Sequence, residues 1–128
     1  MYYTYIIRCK DNSLYTGYTT DVKRRMREHQ TGINSKYTKS RGFSNLEIYF
    51  SCKTKSEAMK LEYKIKQKSR YQKLNIIENP NDFIENLDIE IWQCDIMNAQ
   101  AVMRFYCPCV FIFHRKSGLQ IVLAVRRP

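Results

Sequence analysis

The sequence predicts an α+β domain over residues 1–78, a small three-stranded, mostly antiparallel sheet flanked by helices. Three observations carry this expectation. β-branched and aromatic runs alternate with amphipathic stretches in the order strand, strand, helix, strand, helix. Turn and capping residues mark the junctions between them. A composition break at Glu78-Asn79-Pro80-Asn81-Asp82 then ends the pattern and marks a boundary with a C-terminal extension, residues 79–128.

The elements follow in order. Residues 2–9 (YYTYIIRC) are β-branched and aromatic and read as a strand. Asp11-Asn12-Ser13 supplies turn chemistry, and Leu14–Tyr18 returns as the second strand of a hairpin. Thr20 or Asp21 can cap a helix that runs to about Thr31 and stops at Gly32. Val22, Met26 and either His29 or Gln30 recur at helical spacing and form its buried stripe. Residues 33–45 are polar, with Gly and Ser, and read as a loop. Leu46–Lys53 reads as the third strand. Thr54-Lys55-Ser56-Glu57 is a capping box, and the helix behind it sets Ala58, Leu61 and Ile65 on one face before ending near Ser69. Residues 71–78 read as a short helical turn. In the extension, Val110–Phe113 and Leu119–Val125 flank Arg115-Lys116-Ser117-Gly118 and read as a β-hairpin.

Charge is concentrated in the first segment. The chain carries a formal net charge of +10, and residues 1–78 hold 17 of the 22 Lys/Arg and 7 of the 12 Asp/Glu. The whole excess therefore lies there, which suits a polyanionic partner whose phosphates release counterions on contact. The cysteine count is odd, at 5, and the N-terminus is strand-like, so reduced thiols and an intracellular location are expected. No apolar run reaches the roughly 18–20 residues of a membrane helix.

Three features carry chemistry. Tyr5 and Tyr15 stand on the paired strands of the hairpin. Lys23-Arg24-Arg25-Met26-Arg27-Glu28-His29 opens the first helix, with Arg25 and His29 four residues apart on one face. Glu62 lies at the edge of the apolar stripe of the second helix. Phosphodiester hydrolysis uses these kinds of group. A hard cation accepts one carboxylate plus waters and phosphate oxygens. A guanidinium matches the charge that builds on phosphoryl oxygens. Tyr or His can take a proton from water. Taken singly, each feature is also what ordinary folding produces: strand aromatics, a solvated basic face, a surface carboxylate, a packed histidine. The residues alone reach a basic nucleic-acid-binding domain with nuclease chemistry as one option.

In combination the spacing is more specific. Tyr3-Thr4-Tyr5, Tyr15-Thr16-Gly17 and Thr20–His29, followed by Leu61-Glu62-Tyr63-Lys64-Ile65-Lys66-Gln67, resemble the GIY-YIG nucleases, most closely their short stand-alone, YhbQ-like branch. The resemblance covers about residues 1–77. It implies a divalent-metal-dependent endonuclease that hydrolyses phosphodiester bonds in DNA, with structure-specific repair or recombination substrates and with RNA left open. Tyr5 and Tyr15 would line the site, one helping to activate water. Arg25 would stabilise the scissile phosphate. Arg24 and His29 would contact phosphate or assist proton transfer. Glu62 would hold Mg²⁺ or Mn²⁺, and Gly17 would allow a tight exit from the second strand. Lys23, Arg24, Arg27, Lys36, Lys39, Arg41 and Lys66 are the expected nucleic-acid contacts.

Two departures stand out. Tyr3 replaces the Gly of the first motif, and residues 79–128 match nothing in the branch. That extension leaves room for a protein partner or self-association. Its Cys94, Cys107, Cys109 and His114 do not have the spacing of a paired zinc site. Two other readings fit the same residues: a non-catalytic nucleic-acid-binding module, and a nuclease subunit active only with a partner.

Overall fold

The computed structural model describes residues 1–33 and 35–96, with side chains to Ile91. The order is β1 (Tyr2–Cys9), β2 (Leu14–Thr19), α1 (Val22–Gln30), α2 (Lys36–Arg41), β3 (Phe43–Cys52), α3 (Lys55–Lys66), α4 (Arg70–Glu78), α5 (Pro80–Glu85) and β4 (Ile91–Ile96). The expected three-stranded antiparallel sheet is present, and β4 extends it. The strand order is β2-β1-β3-β4, with every neighbour antiparallel.

The hairpin forms because Asp11 closes its turn. The Asp11 carboxylate accepts the Ser13 backbone N–H at 3.0 Å, and Asn12 takes a left-handed φ of 64°, which Asn tolerates. Strand alternation then divides the core between two faces. Ile6, Ile48, Phe50 and Cys52 meet Ala58, Leu61 and Ile65 of α3 and Ile76 of α4 on one face. Tyr5, Ile7 and Leu46 lie on the other, under Val22 and Met26 of α1. Thr4 ties α3 to the first face by donating to the Ala58 carbonyl at 2.8 Å.

The helix signals mostly hold. Asp21 caps α1 by accepting from Arg24 N–H. Thr54 and Glu57 form both bonds of the capping box. Two expectations change. Residues 33–45 are not all loop: α2 lies within them, capped by Ser35, and β3 starts three residues early at Phe43. The helical turn expected over residues 71–78 is a nine-residue helix with its own capping box at Ser69 and Gln72. Residues 80–96 also continue the same core: Phe83 packs on Phe50 with ring centroids 6.1 Å apart, and β4 pairs with β3. The expected boundary falls at Asn79, which ends α4 and starts α5. The hairpin expected over 110–125, and Cys107, Cys109 and His114, lie outside the described residues.

Candidate active site

Gly17 makes the site possible. It pairs with Tyr5 in the β1–β2 ladder, and a Cβ there would stand 2.5 Å from the Tyr5 hydroxyl and 2.8 Å from its Cζ. Gly17 sits inside β2 rather than at its exit, so its role is to leave space for the Tyr5 ring, which corrects the turn role expected from sequence. With that space, Tyr5 lies fully buried across β2.

The Tyr5 hydroxyl joins two helical residues. Arg25 Nε donates to it at 3.0 Å, and His29 Nε2 lies 2.8 Å from it. The i, i+4 spacing on α1 brings both groups to one oxygen. His29 Nδ1 lies 2.9 Å from Thr38 Oγ1, and Thr38 donates to the Ser35 carbonyl at 3.4 Å. The ends of this chain set its direction. Arg25 Nε can only donate and a carbonyl can only accept. Tyr5 therefore donates its proton to His29 Nε2, and His29 carries its own on Nδ1, pointing at Thr38.

Burial sets the charge states. It holds His29 down to about 4, with the Arg25 charge adding to the effect, so the imidazole is neutral near pH 7. Burial also pushes the Tyr5 phenol up to about 12. The Arg25 hydrogen bond and charge oppose this, while Tyr15 and Glu62 add to the rise. At Arg25, burial works against the charge, but hydrogen bonds to Tyr5 and to Glu28 outweigh it and raise the guanidinium above its ordinary value. Glu28 accepts from Arg25 Nη1 at 2.9 Å and fixes its plane.

Of the five residues singled out by sequence, the structure joins Tyr5, Arg25 and His29 directly. The half-buried Tyr15 ring packs edge-on against His29 at 5.5 Å and lies 6.5 Å from Tyr5. Glu62 is close enough for its charge to act on Tyr5. His29 is only 1% exposed and both its ring nitrogens are engaged, so it does not present itself to a phosphate. Lys23, Arg24, Arg27, Lys36, Lys39 and Arg41 are exposed on α1 and α2. Lys66 is exposed on α3, with its Nζ 2.8 Å from Glu62 Oε1.

Several contributors were not read from sequence. Thr38 orients His29, Phe43 stacks on the same imidazole at 6.4 Å, and Tyr37 stacks on Tyr15 at 5.6 Å. The only local signals were Ser35 and Gly42, which bracket α2 as caps.

The GIY-YIG catalytic-domain family model matches residues 1–75. The chain belongs to the GIY-YIG family. GIY-YIG domains are nuclease domains that generally use divalent metals, and a nucleic acid is the substrate class the domain implies. The chain is 53% identical over 77 residues to a UPF0213 protein of Staphylococcus haemolyticus, covering 60% of this chain and 94% of that protein. It is 52% identical over 73 residues to a UPF0213 protein of Halobacterium salinarum, covering 57% of this chain and 95% of that one. The solution NMR structure of a UPF0213 protein from Bacillus halodurans is 41% identical, with a TM-score of 0.41, and the match covers 70% of this chain and 100% of that one. In this GIY-YIG domain Tyr3 stands where the first motif has Gly, and its ring packs edge-on against Tyr49 at 5.9 Å. Among the described residues, no helix is long and apolar enough to cross a membrane.

The donor set fits one hard cation. Among the described residues no group of three or more His, Cys, Asp or Glu gathers. Glu62, with its side chain 17% exposed, already holds the Lys66 ammonium. A single carboxylate of this kind could hold a hard divalent cation that keeps waters and takes phosphate oxygens.

Proposed function

We propose that this chain is a divalent-metal-dependent endonuclease that hydrolyses phosphodiester bonds in DNA, including branched or flapped repair and recombination substrates. The observation that supports this most is the convergence of Arg25, His29 and Tyr5 on one hydroxyl, with Glu62 near enough to act on the same ring.

The roles separate by burial. Tyr5 is fully buried and its hydroxyl is engaged by Arg25 and His29, so it positions both. Tyr15 is half-buried against the same groups and is the phenol placed to meet the attacking water. Arg25, with its side chain 19% exposed, keeps N–H donors beyond those bound to Tyr5 and Glu28, and these grip the phosphoryl oxygens. Neutral His29 accepts hydrogen-bond density from Tyr5 and steadies the phenol pair. Glu62 holds the cation, Mg²⁺ or Mn²⁺, which when bound neutralises charge on the phosphoryl oxygens. The exposed cations of α1 and α2 bind the flanking backbone.

The test is cleavage of labelled duplex, flap and four-way-junction DNA, with matching RNA, in Mg²⁺, Mn²⁺ or EDTA. Wild type cuts with metal only. Arg25→Ala and Glu62→Gln lose about 100-fold or more in rate while remaining folded by circular dichroism. Binding without cleavage in every metal, or wild-type rates from either variant, contradicts the proposal.

A further inference from the structure

The strongest feature outside the Tyr5–Arg25–His29 cluster is a ladder of flat groups that leads away from it. Tyr15 stacks on Tyr37 with centroids 5.6 Å apart and planes 28° apart. The Arg41 guanidinium lies 4.7 Å from the Tyr37 ring centroid. Tyr37 is the middle member, and Arg41, with its side chain 47% exposed, is the outer one.

The ladder is held rigidly. Arg41 is tied to Asp11 at 2.6 Å, and Asp11 is itself fixed in the hairpin turn by Ser13. Tyr37 precedes Thr38, which is anchored on His29 at 2.9 Å. The distance from the ladder to the site is therefore set by the backbone of α2. Lys36 and Lys39 are exposed on the same short helix.

We propose that the outer plane of the Arg41 guanidinium, backed by Tyr37, stacks on one unstacked nucleobase next to the scissile phosphate. This rests on the nucleic-acid-cleaving reading and narrows it. Aromatic rings and guanidinium planes beside lysines are what a single strand needs: π-faces for bases, cations for the backbone. A base inside a duplex offers no free face. The substrate class is thus a strand with an unpaired nucleotide at the cut, as in a flap, a junction or a single strand. Stacking on a guanidinium plane accepts any base, because every base has a π-face, and Arg41 Nη1 is already bonded to Asp11.

The experiment is binding of a fluorescent flap DNA in EDTA, whose duplex junction fixes the register, with one abasic position walked along the single-stranded arm. Wild type shows one position where base removal weakens binding by roughly 5-fold or more. Tyr37→Leu and Arg41→Gln weaken binding of the intact strand comparably and no longer respond to that lesion. Tyr37→Phe, which keeps the ring, behaves as wild type. Because Arg41 is exposed, its variant reports even if Tyr37→Leu disturbs α2. A flat abasic profile in a wild type that still binds overturns the site, as does an unchanged profile in both variants. Failure of the nuclease reading looks different: no cleavage in any metal, whatever the abasic profile.

Discussion

His29 shows how one buried residue links packing to chemistry. It is 1% exposed, bonded through both nitrogens, and held at about 4 against an ordinary 6.5. The unfolded chain therefore binds a proton that the folded chain refuses. Stability is complete above about pH 6.5 and is lost as pH falls toward 4, on the order of 3 kcal/mol in all. Urea denaturation across that range should show the loss in wild type and a flatter profile in His29→Gln. An equal slope in both would mean that another group dominates. Gly17 is the second residue on which the site turns. Gly17→Ala places a methyl against a fully buried Tyr5, so a loss of about 1–3 kcal/mol is expected, with cleavage falling as Tyr5 leaves Arg25. Wild-type stability and activity would show that the ring has another place to go. That Arg25 and His29 share one face of α1 was legible, because four-residue spacing on a helix survives in the linear chain. The partner relations were not. Nothing in the sequence says that a threonine nine residues beyond His29 closes its hydrogen-bond chain, or that Gly17 exists to admit a ring from the neighbouring strand.

At the scale of elements, α2 is the instructive case. Its six residues, Lys36–Arg41, bury only Thr38, so no apolar periodicity announces a helix. Ser35 and Gly42 looked like loop punctuation and are in fact its caps. α3 is the opposite case. Its capping box and its Ala58, Leu61, Ile65 stripe were read correctly because core helices advertise the face they bury. The consequence for α2 is testable. Its Ser35 side chain accepts from Thr38 N–H, and its backbone carbonyl takes the Thr38 hydroxyl. Ser35→Ala should cost about 1 kcal/mol and loosen Thr38 from His29. The measurable sign is an NMR shift of the His29 Nδ1–H signal, and an unchanged signal would mean that α2 holds without its cap.

At the scale of the molecule, the sheet divides labour between its faces. α1 lays Arg25 and His29 over Tyr5 on one face, while α3 packs its apolar stripe on the other and carries Glu62 at the edge of that stripe. β1, paired on both sides, keeps the two halves in register. The fourth strand was missed because the acidic, Pro- and Asn-containing stretch after Glu78 has the composition of a linker. Local composition cannot report that Phe83 and β4 return to the same core. The central claim is that Glu62 and Arg25 serve one phosphate from opposite helices. Paramagnetic broadening by Mn²⁺ tests it without any substrate. With labelled arginine side chains, Mn²⁺ should broaden the Arg25 Nε–H signal selectively, and Glu62→Gln should abolish the effect. Broadening that spares Arg25, or that persists in Glu62→Gln, would place the cation elsewhere and contradict the account.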